Sequence, residues 1–410
     1  MRRAWAAVIG TAAAFGAVVA VAGCTTSSSG APDFRPSPTG NNVEGNDGVH
    51  VSPIEPVPSG GGSRSKSGGG NASVSPSSAP SSGPKSKSDP FVVATHLTTP
   101  VGLSLLPDGT ALVGERTTGR IVRVQPMAGQ PVPTVRVLHG LDDAGGGGLL
   151  DLAVSPHYSE DNLIYAYVTT PKDNRVVDFT LHGPVTPVLT GIPKGPRDNA
   201  GRLVFGADGD LYIGTGDAGR PTLAAKPGSL AGKILRVDDI GAPAHGNPRK
   251  GSPVFATGLR TVAGLCPTSS GMLEVQTGAS GRPQVNALIK GANYGYPKPV
   301  GRSAAPVVTL PRAADGPGGC AVLDSRLWVT SLSGQALYSA APKTMGHGFG
   351  EFGAVLHRRY GRLRTVVAAQ DGALWMTTSN RDGHGHPVPT DERVIRYLPQ
   401  GGGGGSGKTT

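Results

Sequence analysis

Apolar residues in this chain fall in short alternating runs rather than in helical stripes. Between residues 89 and 400, segments such as LSLLPDGTALVGER, LLDLAVSP, NLIYAYVTT, RLVFGADGDLYIGTG, KILRV, GMLEVQT, RLWVTSL and TVVAAQDGALWMTTS combine β-branched and aromatic residues with neighbouring glycine turns. Asp108-Gly109, Asp208-Gly209 and Asp371-Gly372 interrupt such runs, a strong short-range hairpin signal. No segment there sustains the apolar period of an amphipathic helix. Many short strands joined by dipeptide turns predict an all-β domain. A β-propeller fits best, because four-stranded antiparallel blades set around a central channel expose only short sheet edges. A domain of about 310 residues is long for one compact core and ordinary for a radial repeat.

The pattern changes at both ends. Residues 1–23 open with Met1-Arg2-Arg3, continue in an Ala/Val/Gly-rich apolar run and end in Val21-Ala22-Gly23 before Cys24, the layout of an export signal. The last four of these residues resemble a bacterial lipobox, which implies cleavage before Cys24, lipidation of its sulfur and an anchor at the outer face of the cell membrane. Residues 24–88 are rich in Ser, Gly and Pro and too poor in apolar side chains to order a backbone, so a disordered tether is expected. Residues 401–410 are expected to be a disordered tail for the same reason.

Residues 198–219, DNAGRLVFGADGDLYIGTGDAG, hold the most specific pattern. They match His-x-x-Gly-Arg-Leu-x-x-Gly-x-Asp-Gly except that Asp198 occupies the histidine position. Further matches are Gly148-Leu149-Leu150 with Pro156, the run from Gly232-Lys233-Ile234 to Arg236, Asn293-Tyr294-Gly295-Tyr296-Pro297, and Ser379-Asn380-Arg381-Asp382-Gly383. Together these resemble the glucose/sorbosone dehydrogenases, soluble sugar oxidoreductases that use pyrroloquinoline quinone (PQQ). The resemblance covers nearly the whole predicted domain and implies six blades. Actinobacterial lipoproteins related to that family share the order of lipobox, tether and domain.

The resemblance also implies a chemistry: a base removes the sugar C1 hydroxyl proton while hydride passes to the quinone, and calcium polarises the quinone carbonyl. Asp198 aligns with the base, and an ordinary carboxyl is about 2.6 pH units more acidic than imidazole. The family's Arg-Asn pair becomes Arg260-Thr261, and its Asp-Glu-x-Asn, linked to calcium, becomes Pro283-Gln284-Val285-Asn286. A glutamine or glutamate becomes Gly146 or Gly147, and a basic residue becomes Ser333. Cations persist. Arg362 and Arg364, two apart on a strand and so on one face, match the family's Arg-x-Arg; with Arg260 and Arg202 they would form a positive mouth for an acidic ligand.

With Cys24 lipidated, Cys266 and Cys320 remain in an oxidising compartment, either as a disulfide or as two buried thiols; the compartment favours the disulfide. His384 and His386 sit in a Gly-rich loop without further ligands at metal spacing, so no metal is expected there. The net charge of +10 comes without a nucleic-acid-binding motif and suits anionic lipid or envelope polymer better than nucleic acid. Three functions stay open: a PQQ- and calcium-dependent aldose dehydrogenase, a catalytically degenerate propeller that binds a sugar, glycan, lipid or envelope protein, and a scaffold acting through its blade loops.

Overall fold

The computed structural model describes residues 89–399 apart from 300, 302 and 345–347. The predicted signal segment 1–23, the lipidation site Cys24, the tether 24–88 and the tail 401–410 lie outside the described residues. Six four-stranded antiparallel sheets form a six-bladed propeller. The innermost strands, in blade order, are Pro100–Leu105, Leu149–Val154, Gly201–Phe205, Val262–Thr268, Pro317–Leu323 and Leu363–Ala368. Blades 1 to 5 each use four successive strands. Blade 6 instead takes Val92–Ala94 as its outer strand, paired with Val394–Tyr397, so the two ends of the domain close the ring.

Local sequence explains the hairpins. At each of the three Asp-Gly dipeptides, the glycine has φ near 80° and its N–H donates to the carbonyl three residues back, in Leu106, Gly206 and Ala369. That left-handed conformation carries no side-chain penalty for glycine. Each turn aspartate then meets an arginine on the third strand of its blade: Asp108 with Arg123, Asp208 with Arg236 at 2.8 Å, and Asp371 with Arg396 at 2.5 Å.

Apolar residues pack between blades. Six buried clusters fill the six inter-blade gaps, for example Leu103, Val113 and Val122 of blade 1 against Trp375 and Val394 of blade 6. Alternation along each strand therefore serves two interfaces, because both sheet faces are covered.

The inward edges of the innermost strands carry main-chain groups that need partners. Side chains supply several from the neighbouring strand. Val154 N–H donates to Ser104 Oγ (3.1 Å) and Leu203 N–H to Asp151 Oδ2 (2.9 Å), while Thr330 Oγ1 donates to the Arg364 carbonyl and Thr365 Oγ1 to that of Val101. Blades 4 and 5 are joined covalently: Cys266 and Cys320 form the disulfide, with their Cα atoms 5.8 Å apart.

Candidate functional site on the upper face

In an antiparallel blade the first strand begins where the second ends, so residues preceding the innermost strands share one face with the turns that follow the second strands. This upper face collects Asp198, Arg260, Arg362 and Arg364 with the segments after Glu115, Thr215 and Thr378. Two clusters result.

The first cluster lies between blades 3 and 4. One Asp198 carboxylate oxygen stands 3.6 Å from Arg260 and 3.6 Å from Arg197, and Thr261 Oγ1 donates to the other at 3.4 Å. Asp198 adopts a left-handed φ of 56°, strained for a side-chain-bearing residue. The next residue holds it there: Asn199, 2% exposed, accepts from Gly195 N–H (2.8 Å) and Asn174 Nδ2 (3.2 Å) and donates to the carbonyls of Gly195 (2.6 Å) and Gly145 (3.1 Å). Gly216 backs the turn so closely that a Cβ would stand 1.9 Å from the Asp198 carbonyl oxygen, so only glycine fits.

Asp217, 1% exposed, completes this cluster. Its N–H donates to the Arg260 carbonyl (2.8 Å), and its carboxylate accepts from Tyr296 Oη (2.9 Å) and Gly219 N–H (2.7 Å). Burial, then the bond to Asp217, pushes the Tyr296 phenol up to about 12, so Tyr296 acts as a donor.

The second cluster joins blades 6 and 1. Arg362 Nη2 and Nε donate to Asp382 Oδ2 at 2.8 and 3.0 Å, Arg364 Nη2 stands 4.0 Å from the same oxygen, and Arg364 Nε donates to Ser379 Oγ at 3.2 Å. Arg116 Nη1 donates to the Gly147 carbonyl at 2.9 Å. Burial, then the charges of Arg202, Arg116 and Arg362, push the Arg364 guanidinium down to about 10 against the opposing pull of Asp382. Burial works against ionisation of Asp382, but hydrogen bonds from Arg362 and His384 N–H with the nearby guanidinium charges hold its pKa below the ordinary value. One carboxylate therefore serves two crowded guanidinium groups, an arrangement with spare positive charge that suits an anionic ligand.

Of the residues singled out in the sequence, Arg260 meets Asp198, and Arg362 meets Arg364. Arg202 is turned into the central channel, where its charge still acts on Arg364. His384 and His386 lie exposed on the loop after Asp382. Sequence reading missed Arg116, Asp217, Tyr296 and the role of Asp382 as the shared counter-ion. Position offered a signal for two of them: Arg116 and Asp217 are charged residues just beyond apolar second strands, where the upper face begins.

A sequence profile described as Glucose / Sorbosone dehydrogenase matches residues 97–305. Quinoprotein glucose dehydrogenase B of Acinetobacter calcoaceticus is 31% identical over 267 residues, 54% of this chain and 55% of that protein. Aldose sugar dehydrogenase YliI of Escherichia coli is 27% identical over 229 residues, 50% of this chain and 61% of that one. The chain thus spans little more than half the length of these curated relatives. Among solved structures, the PQQ-bound aldose sugar dehydrogenase of Streptomyces coelicolor superposes with a TM-score of 0.70 at 37% identity, covering 74% of this chain and 95% of that one.

Proposed function

Because the chain belongs to the glucose/sorbosone dehydrogenase family, we propose that its upper face binds PQQ or another polycarboxylated ligand on the cations of blades 6 and 1, with most of the family's base chemistry lost. One contrast carries this reading: the Arg-x-Arg cations remain clustered although one basic position is now Ser333, while the base position holds an aspartate flanked by two guanidinium groups. Arg362 and Arg364 share Asp382 as their close counter-charge, and Arg116, attracted more by Asp143 than by Asp382, adds a third guanidinium, so the three suit the carboxylates of PQQ. Calcium fits less well. Among the described residues no three His, Cys, Asp or Glu side chains converge, so calcium would rely on carbonyl, amide and cofactor oxygens.

Bound PQQ would supply the hydride acceptor for sugar oxidation. Asp198 would have to take the hydroxyl proton while attracted to Arg260 and Arg197, and a carboxylate starts about 2.6 units below imidazole as a base. Tyr296 offers no substitute, since its proton stays on the phenol and is directed at Asp217. In this reading the domain hangs from a lipidated Cys24 at the outer face of the membrane and binds a sugar, glycan, lipid or envelope protein through the same face.

A second reading, an active aldose dehydrogenase, draws support from the 37% identity to a PQQ-bound aldose sugar dehydrogenase. Titrating the protein with PQQ, with and without calcium, while following cofactor absorbance, melting temperature and dye reduction on aldoses, separates the two. Binding without turnover is the expected result, and Asp198→His should then restore some dye reduction. Turnover by the unaltered chain would establish the second reading, and absence of PQQ binding would refute cofactor binding in both.

A further inference from the structure

Arg202 reaches across the upper end of the central channel. From blade 3 its Nε donates to the Ala263 carbonyl of blade 4 (2.5 Å) and its Nη2 to the Gly318 carbonyl of blade 5 (2.6 Å). The third nitrogen, Nη1, is buried without a hydrogen-bond partner and stands 3.9 Å from Asp151 Oδ1 of blade 2. Arg202 is 8% and Asp151 5% exposed. Below this pair the innermost strands enclose a well of about 410 Å³, whose wall includes Leu103, Ser104, Phe205, Leu265, Val322 and Ala368. Small-molecule sites span roughly 300–1,000 Å³, so the well has the size of one.

We propose that this well is a second binding site, separate from the upper-face clusters, for a neutral polyhydroxylated ligand of monosaccharide size whose innermost hydroxyl sits between Arg202 Nη1 and Asp151 Oδ1. Two atoms 3.9 Å apart can both be reached at about 2.8 Å by one oxygen, which must displace the groups that now cover Nη1. The oxygen must accept from the guanidinium and donate to the carboxylate, and a hydroxyl does both. A carboxylate or phosphate would face Asp151 and be repelled. An acyl chain would cover strand edges whose N–H and C=O groups need partners, whereas a polyol offers donors and acceptors around its ring and C–H faces to the apolar side chains.

Asp151 already uses its other oxygen to accept from Leu203 N–H, which fixes the free oxygen toward Arg202. Burial pushes its carboxyl up to about 6 against the pull of Arg202 and the main-chain donors, so it ionises near neutrality. Binding should therefore strengthen from pH 5 to 7 as Asp151 becomes an acceptor. The charged group facing Asp151 is Arg202.

Calorimetric titration of the PQQ-free protein with D-glucose, and with gluconate as the anionic counterpart, tests the site. Glucose heat should exceed gluconate heat at least tenfold in affinity, Asp151→Asn should weaken glucose at least fivefold, and Ala368→Phe, placed at the far end of the well, should abolish binding while leaving PQQ titration intact. Arg260→Ala should change nothing. In the unaltered protein, glucose should slow hydrogen exchange in residues 201–205 more than in residues 379–392, a readout that needs no variant. Loss of glucose binding in Arg260→Ala with retention in Ala368→Phe would move the sugar to the upper face and overturn the proposal. So would the absence of any heat or exchange effect at 100-fold excess over the protein.

Discussion

Glu274→Gln is expected to stabilise the propeller at neutral pH, against the usual outcome of changing a wholly buried residue. Glu274, on the second strand of blade 4, is 0% exposed; one carboxyl oxygen accepts from Asn286 Nδ2 and from Gln276 Nε2 (3.2 Å), and the other has no partner, like Gln276 Oε1. Burial pushes this carboxyl from 4.5 up to about 8 despite both amide bonds, so the folded chain holds it protonated at pH 7. The unfolded chain releases that proton near 4.5. Stability from this group is therefore fully present below pH 4.5, falls between 4.5 and about 8, and is level above that.

At about 1.4 kcal/mol per pH unit, the loss is on the order of 3 kcal/mol at pH 7 and 5 kcal/mol at pH 8. Glutamine keeps the shape and an oxygen for Asn286, and it removes the ionisation. Urea unfolding between pH 4 and 9 should show the variant and the parent converging at pH 4 and the variant ahead by 1–3 kcal/mol at pH 8, allowing for relaxation around the site. A difference that is constant across this range, or a variant less stable at pH 8, would refute a protonated Glu274.

Lys233→Met should cost on the order of 2–3 kcal/mol by the same measurement, because the buried Lys233 ammonium donates to the carbonyls of Leu223, Ala224 and Ala231, each at 2.8 Å, and methionine leaves all three unpartnered. Replacing Cys266 and Cys320 together by serine removes a link spanning 54 residues and should lower stability by about 4 kcal/mol, read as a shift in guanidinium midpoint that reduction of the parent reproduces. Arg364→Leu should weaken PQQ at least tenfold in an absorbance titration, whereas Arg260→Ala, half-exposed and already facing Asp198, should change it less than threefold.

Much of the architecture was legible because its signals are local. Asp108-Gly109, Asp208-Gly209 and Asp371-Gly372 mark hairpins through the backbone freedom of one glycine each, and the structure forms a turn at every one. The arginines that meet those aspartates could not be read in the same way, since Asp208 and Arg236 become neighbours only when the third strand is in register. Blade number came from resemblance, because alternation alone does not say how many sheets close a ring. The reading of residues 283–286 illustrates the limit: no carboxylate occurs in Pro283-Gln284-Val285-Asn286, yet cross-strand pairing places Glu274 opposite Asn286.

The chain by itself determined strand positions, turn types, the available cysteine pair and the aspartate at the base position, all properties of residue type and near-neighbour spacing. Only the closed ring decided which charges face one another. Asp198 and Arg260 approach because two blades abut, Arg362 and Arg364 share Asp382 because a turn folds over an innermost strand, and Arg202 leaves the upper face because carbonyls of two other blades satisfy it inside the channel. Electrostatic environment and solvent access depend on distances across the ring, and those distances exist only once six separate sheets have packed.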